Sequence, residues 1–85
     1  MTHVLKTQDE FMTDIATGKK SFEVRINDRN YDEGDILILE GFIKEDKKYT
    51  GKCLEAEVIY ILHGGVFGIE EGFCVMGIKV RNYNF

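Results

Sequence analysis

The sequence predicts an α+β domain whose sheet is mostly antiparallel and curved into a small closed or half-closed barrel. Apolar residues recur at helical spacing once, near the amino-terminal end, and about four later stretches show the alternation of β-strands. Closure of so strand-rich a chain would remove free edges that promote aggregation. We expect a single domain over residues 1–85, because so short a chain cannot enclose a second core.

The amino-terminal region predicts a short strand that leads directly into a helix. Val4 and Leu5 form the apolar centre of a strand over His3–Lys6. The run Thr7–Glu10 has the form of a capping box, in which the threonine hydroxyl accepts from a backbone N–H at the helix start. Helical spacing then continues to Gly18, a residue suited to the left-handed conformation that closes helices. We expect about three turns of helix lying over the core.

The stretch Gly18–Arg29 has the densest and most regularly ordered polar residues. Successive side chains of a strand point to opposite faces, so its alternation separates an apolar face from a polar one. We expect the apolar face to meet the core, and the run Asn27–Asn30 to form a turn. A solvated outer face is the simplest interpretation of the polar side, and a binding face is the alternative. The apolar set is Phe22, Val24 and Ile26, and the polar set is Ser21, Glu23, Arg25 and Asn27.

The rest of the chain predicts three more strands. Ile36–Leu39 is apolar on both faces, and Lys44–Lys48 is a charged hairpin tip. Tyr49–Leu62 is the longest strand, Gly64–Gly72 is a glycine-rich loop, and Phe73–Val80 is the last strand. The residues expected to share one face are Ala56, Val58, Tyr60 and Leu62 on the long strand, and Cys74, Met76, Ile78 and Val80 on the last.

The charge balance argues against a protein that coats nucleic acid through its overall field, because the net charge is −4. A small basic patch is still compatible with this balance. Basic residues cluster in two places, at Lys19, Lys20, Arg25 and Arg29 and again at Lys44, Lys47, Lys48 and Lys52.

The cysteines and histidines predict no metal site. Cys53 and Cys74 are too few and too far apart for a zinc pattern, and we expect free thiols rather than a disulfide. His3 and His63 are isolated imidazoles. No signal peptide is recognised, and no apolar run reaches the ~20 residues of a membrane span. We expect a soluble cytoplasmic protein without metal or cofactor.

Several motifs resemble the small bacterial and phage proteins of the ASCH branch of the PUA-like superfamily. The most specific is Gly-x-Lys-Ser-x-Glu-x-Arg over Gly18–Arg25, followed by Asn-Asp-Arg at 27–29. Further matches at His3–Thr7, Gly34–Leu37, Tyr49–Gly51 and Phe73–Met76 extend the resemblance over nearly the whole chain. The resemblance implies a PUA-like β-barrel with a cleft beside the first helix, a cleft suited to RNA or nucleotide-like ligands.

The polar stretch contains groups suited to such a ligand. Arg25 and Arg29 offer forked donors for a phosphate or a base edge, and Lys20 offers a compact charge for a phosphate. Glu23 suits an exocyclic amine, and an aromatic ring would stack on an unpaired base, with Tyr31 and Phe67 as the choices. The predicted ligand-binding set is Lys19, Lys20, Glu23, Arg25, Asn27 and Arg29.

Each of these residues also has a purely structural interpretation. Arg25 would pair with Glu23 or with Glu57 of a neighbouring strand. Lys19 would lie favourably at the carboxyl end of the helix. Asn27, Asp28 and Arg29 would only form the turn, whose composition favours this explanation.

An enzymatic alternative comes from the same resemblance, since some ASCH proteins look like small amidohydrolases of N4-acylated cytidine-type nucleosides. They use a lysine, a threonine and a glutamate, and Lys20 matches the lysine. The position expected for the threonine is Glu23, so the nucleophile is missing from its place. Ser21 is the candidate substitute, and Glu70 or Glu71 the candidate acid.

A third hypothesis is a protein-interaction module. Here the Gly64–Gly72 loop would meet a partner, with Phe67 exposed as its anchor. A buried Phe67 would exclude this hypothesis. The sequence names neither the ligand nor the oligomeric state.

Overall fold

The computed structural model describes residues 1–85 and consists of one five-stranded sheet and one helix. The strand order is β1-β3-β4-β5-β2, so the first two strands of the chain form the two edges of the sheet. The pairing of β1 with β3 is parallel and the other pairings are antiparallel. This confirms an α+β fold with a mostly antiparallel sheet, curled into a half-barrel. The elements are β1 (Thr2–Gln8), α1 (Asp9–Ala16), β2 (Phe22–Ile26), β3 (Ile36–Ile43), β4 (Lys48–His63) and β5 (Phe73–Tyr83).

The helix α1 packs against four strands and supplies the middle of the core. Met12 and Ile15 are fully buried among the inward side chains of β3, β4 and β5. Burial of two such side chains stabilises the fold by about 3 to 6 kcal/mol. The helix has eight residues, about two turns rather than the three expected. Gly18 follows it with a φ of 83°, and its N–H donates to the Ile15 carbonyl, which confirms its predicted role.

The predicted capping box at Thr7–Glu10 is wrong. Thr7 lies in β1 and is buried, because the parallel ladder with β3 continues to Gln8 and keeps the chain extended. Gln8 occupies the N-cap position without a side-chain hydrogen bond, and the helix begins at Asp9. The alternation of β1 turns the Thr7 hydroxyl to the inside of the sheet.

The two faces of β2 are the reverse of those expected. Its alternation is confirmed, but Glu23 is only 4% exposed while Val24 and Ile26 are 54% and 57% exposed. The reason is that α1 already fills the interior, so β2 as an edge strand meets charged groups on its inner side. Those groups lie next to solvent at the open side of the half-barrel, where a paired carboxylate is tolerated.

A β-bulge changes the face assignment along β4. Ala56 and Val58 are buried, but Tyr60, predicted to share their face, is 60% exposed. The register with β5 shifts between Val58 and Tyr60, and the extra residue reverses the alternation. Ile61, rather than Tyr60, therefore packs against the core.

The last strand and the hairpin tip follow the prediction. Cys74, Met76 and Ile78 are buried on one face of β5, with Val80 packed against the core. A turn connects β3 and β4 at residues 44–47. The one helix falls short of the length and apolar character needed to cross a membrane.

Candidate functional site

A cleft of about 610 Å³ opens between the two edge strands, β1 and β2, beside the start of α1. This volume lies within the usual range for small-molecule sites. Its walls are the facing edges of β1 and β2 together with Phe11 of the helix, and Tyr31 and Phe73 also line it. The cleft is therefore the place where the half-barrel does not close.

A buried ion-pair network centred on Glu23 occupies this gap. Lys20 Nζ donates to Glu23 Oε1 at 3.0 Å, and Arg25 Nε donates to Glu23 Oε2 at 3.0 Å. Each carboxylate oxygen thus has a cationic donor, which compensates the cost of removing the charge from water. The predicted pairing of Arg25 with Glu23 is confirmed, and Glu57 instead lies 3.8 Å from Arg81.

Arg25 also connects the two edge strands. One terminal nitrogen of its guanidinium donates to the Lys6 carbonyl of β1 at 2.7 Å and to the Thr7 hydroxyl at 3.1 Å. The fork of donors makes this possible while Nε remains on Glu23. We call the gap between β1 and β2, which no backbone hydrogen bonds cross, the seam. The Arg25 side chain bridges this seam.

Lys20 is held by aromatic rings as well as by charge. Its ammonium lies 5.2 Å from the Phe11 ring centroid and 4.8 Å from that of Phe22. It also donates to the Phe22 carbonyl at 2.9 Å, so two of its three donors are engaged within the protein. The third has no hydrogen-bond partner in the protein.

Tyr31 lines the cleft, and its phenol hydroxyl has no hydrogen-bond partner in the protein. The residue is 3% exposed. Every fully buried side-chain nitrogen or oxygen of the protein has a hydrogen-bond partner, so this hydroxyl is not fully buried. The hydroxyl is therefore accessible to solvent, and Tyr31 lines both the cleft and a second hollow beside Asp32 and Glu33. Burial raises the pKa of Tyr31, and the nearby Arg25 and Arg29 lower it by less, so the phenol stays protonated.

The cleft brings together part of the predicted ligand-binding set. Lys20, Glu23, Arg25 and Arg29 line it, and Arg29 is exposed without an ion pair. Asn27 accepts from the Tyr31 N–H at 3.1 Å, so it orders the turn as its composition indicated.

Other candidates lie outside the cleft. Lys19 and Ser21 are exposed and do not line it, and neither do the exposed Glu70 and Glu71. His63 borders a separate hollow beside Asp32 and Glu33.

Several cleft residues, among them Thr7, Phe11 and Phe73, were not singled out for this role by sequence reasoning, and Tyr31 was given only a conditional one. Thr7 was assigned to a cap, Phe11 to the helix and Phe73 to the start of the last strand. The motif spacing could not reveal them, because they come from α1, β1 and β5, elements far apart in the chain. Tyr31 alone carried a signal, as an aromatic residue directly after the polar turn.

A second buried carboxylate, Asp35, lies at the other side of β1. His3 Nε2 donates to its Oδ2 at 2.8 Å, the Asp32 N–H donates to the same oxygen at 3.0 Å, and the Met1 amine donates to Oδ1 at 3.0 Å. Burial raises the pKa of Asp35, but these hydrogen bonds and the amine charge outweigh it and lower the pKa to about 2. The His3 ring packs edge-on against Tyr31, with centroids 4.8 Å apart.

The remaining reactive side chains lie apart from one another. No three His, Cys, Asp or Glu residues converge as metal ligands. Cys53 and Cys74 are free thiols, and burial raises the pKa of Cys74.

The fold and the cleft define a small α+β protein with a charged opening between its two edge strands. Residues 2–78 match the family described as "Domain of unknown function (DUF3850)", and the chain belongs to this family.

One relative is an uncharacterized 12.9 kDa protein in the GpA 3′ region of Escherichia phage P2. It is 36% identical over 56 residues, which cover 66% of this chain and 50% of the relative. The chain thus spans about half the length of this curated relative.

Proposed function

We propose that the protein is an ASCH/PUA-like domain that binds RNA or a nucleotide-like ligand in the cleft between β1 and β2. The observation that carries the proposal is the Glu23-centred network, which holds Lys20 and Arg25 at the mouth of a cleft of suitable volume. The motif Gly18–Arg25 that suggested the family supplies three members of this network.

The geometry divides the work between the cleft residues. Glu23 has both oxygens engaged, so it positions the two cations rather than accepting from a base. Arg29 is exposed and free of ion pairs, so it is the residue best placed to meet a phosphate. Tyr31 and the aromatic rings of the cleft offer a hydroxyl and apolar faces to a base or a ribose.

A binding measurement with single substitutions tests the proposal. The ligands tested at low salt are the 5′-monophosphates of the four ribonucleosides and a short single-stranded RNA. We expect measurable binding of at least one of them. Arg29→Ala should weaken binding about five- to tenfold without affecting the fold, because its guanidinium holds no other element. Lys20→Gln should also weaken binding.

Arg81→Ala is the matched control, because Arg81 is an arginine of β5 that does not line the cleft. Equal affinities of wild type, Arg29→Ala and Lys20→Gln would contradict the proposal. Loss of affinity in Arg81→Ala alone would place binding elsewhere on the surface.

Hydrolysis of an N4-acylated cytidine is the alternative in the same cleft. In the structure, the Lys20 ammonium is paired with the Glu23 carboxylate and a carbonyl, and no hydroxyl bonds to it. The hydroxyl of Thr7, a buried residue of the cleft, accepts from Arg25. Release of acetate from N4-acetylcytidine that stops in Lys20→Ala would establish the activity, and no turnover by pure protein would remove it.

A protein-interaction function is favoured by one observation. Phe67, at the tip of the Gly64–Gly72 loop, is 90% exposed and adopts a φ of 53°, which is uncommon for a bulky residue. We propose this loop as a second site, for a protein partner with an apolar pocket. Phe67→Ser should abolish capture of such a partner while leaving nucleotide binding unchanged.

We also place the protein in a reducing cytoplasm, a location that suits its two free thiols.

A further inference from the structure

The strand β2 has one hydrogen-bonded edge and one free edge. On the bonded side, the Ile78 N–H donates to the Ser21 carbonyl at 3.0 Å, and the Asn27 N–H donates to the Gly72 carbonyl at 2.9 Å. In an antiparallel ladder, residues alternate between bonding to the partner and pointing away from it. The backbone groups of 21, 23, 25 and 27 therefore face β5, and those of 22, 24 and 26 face the gap toward β1.

The groups on the free edge differ in what they meet. The Phe22 carbonyl accepts from Lys20 Nζ at 2.9 Å, which shows that it points to the cleft side. The N–H and C=O groups of Val24 and Ile26 have no partner in the protein. Both residues line the cleft although their side chains point outward, so their backbone forms this part of the wall.

A free strand residue presents its N–H and its C=O side by side in one direction. This pair is complementary to the Watson–Crick edge of a nucleobase, where a ring or exocyclic donor lies next to an acceptor. Unpaired bases are commonly recognised by hydrogen bonds on that edge. Val24 lies between the Lys20 contact at Phe22 and the exposed Arg29, so a base at Val24 would have cations on both sides for its phosphate.

An added peptide strand fits this edge less well. A strand that paired along β2 would run through the gap between β2 and β1. Arg25 crosses that gap to the Lys6 carbonyl at 2.7 Å, and Lys20 already occupies the Phe22 carbonyl. Two residues of free edge suit a small planar ligand rather than a continuous strand.

We propose that the backbone N–H and C=O of Val24 hydrogen-bond the Watson–Crick edge of an unpaired nucleobase bound in the cleft. This inference rests on the proposed binding of RNA or nucleotides. In this inference the backbone of Val24 recognises the base. The polar side chains of the motif are then free to pair with one another.

The test compares Val24→Pro with Val24→Ala. Proline removes the N–H, and it is tolerated at an edge-strand position whose N–H is outside the ladder. Alanine shortens the side chain and keeps the N–H. With the ribonucleoside 5′-monophosphate that wild type binds best, we expect at least tenfold weaker binding in Val24→Pro and a change below threefold in Val24→Ala.

A second measurement applies if Val24→Pro does not fold. Wild-type protein is titrated with the same monophosphate and with its counterpart methylated on the Watson–Crick ring nitrogen. We expect the methylated probe to bind at least tenfold more weakly, and only the unmodified probe to shift the Val24 amide proton downfield.

The outcomes separate this inference from the proposed function. Equal binding of both probes, with an unshifted Val24 amide, would overturn the inference and leave nucleotide binding established. Absence of binding by every monophosphate and by single-stranded RNA would overturn both. A Val24 shift caused by an extended peptide of alternating Val and Thr, and by no nucleotide, would make the edge a strand-addition site and also overturn the inference.

Discussion

Two buried carboxylates, Asp35 and Glu23, lie on opposite sides of β1, and each accepts hydrogen bonds on both of its oxygens. Their roles in the molecule nevertheless differ. Asp35 accepts hydrogen bonds from an imidazole, a backbone N–H and an amine. Glu23 receives a lysine and an arginine, both long side chains with donors to spare. Both carboxylates are almost fully buried, so the hydrogen bonds from these partners offset the cost of removing each carboxylate from water.

The difference lies in what surrounds each network. Asp35 directly precedes β3, which forms a continuous parallel ladder with β1. The hydrogen bonds of Asp35 therefore only stabilise strands that are already paired. Glu23 faces a seam with no ladder, and Arg25 crosses it alone. A charged network at an unpaired edge stabilises the fold, and under our proposal it also presents donors to a ligand. This dual role is why we propose the functional site at Glu23 rather than at Asp35.

Arg25→Ala is expected to give the largest effect. It leaves Glu23 with Lys20 alone and removes the bridge to Lys6 and Thr7. Removal of one partner of a buried pair costs about 3 to 5 kcal/mol, and the partial exposure of Arg25 places the expected loss at about 3 kcal/mol. Urea denaturation measures the free energy of unfolding. A loss below about 1 kcal/mol would mean that the seam does not depend on this bridge.

Acid titration of Asp35 is expected to give an intermediate effect. Its pKa is about 2 in the folded protein against an ordinary 3.8, so its contribution is present above pH 3.8 and is lost as the pH falls toward 2. The shift corresponds to about 2 kcal/mol. The free energy of unfolding is measured for wild type and for Asp35→Asn at pH 5 and at pH 2. We expect wild type to lose more stability than Asp35→Asn between these two pH values. An equal loss in both proteins would contradict the assignment.

Arg81→Ala is expected to give the smallest effect and calibrates the comparison. Arg81 and Glu57 are 3.8 Å apart on the surface, with side chains 52% and 35% exposed. Such pairs contribute about 0 to 1 kcal/mol and are screened by salt. We expect a loss below about 0.5 kcal/mol in urea denaturation. A loss comparable to that of Arg25→Ala would show that burial at the seam is not what distinguishes the two arginines.

Much of the fold was predictable, because alternation and turn chemistry act locally. The strands around Val4, Val58 and Met76 and the end of the helix at Gly18 appear where the pattern indicates. Alternation separates two faces but does not say which is inward, and β2 shows the consequence. An apolar row predicts a core face only if the interior has room, and α1 already fills it.

The site was predictable only where its contacts are local. Lys20, Glu23 and Arg25 lie within six residues of one another, and their pairing follows from the strand geometry. The bridge from Arg25 to Lys6 spans 19 residues and depends on which strands become edges. No local pattern encodes strand order, so the cleft itself and the roles of Thr7 and Phe11 required the structure.

The most direct test of the account is an NMR titration of isotope-labelled protein at low salt, with ribonucleoside 5′-monophosphates and a short single-stranded RNA in turn. We predict shifts concentrated at Lys20, Val24, Arg25, Arg29 and Tyr31. The Lys44–Lys48 turn is an internal control, because it is basic and exposed but lies outside the cleft. Shifts confined to that turn, or none at all, would contradict the claim that the seam between β1 and β2 is a ligand site.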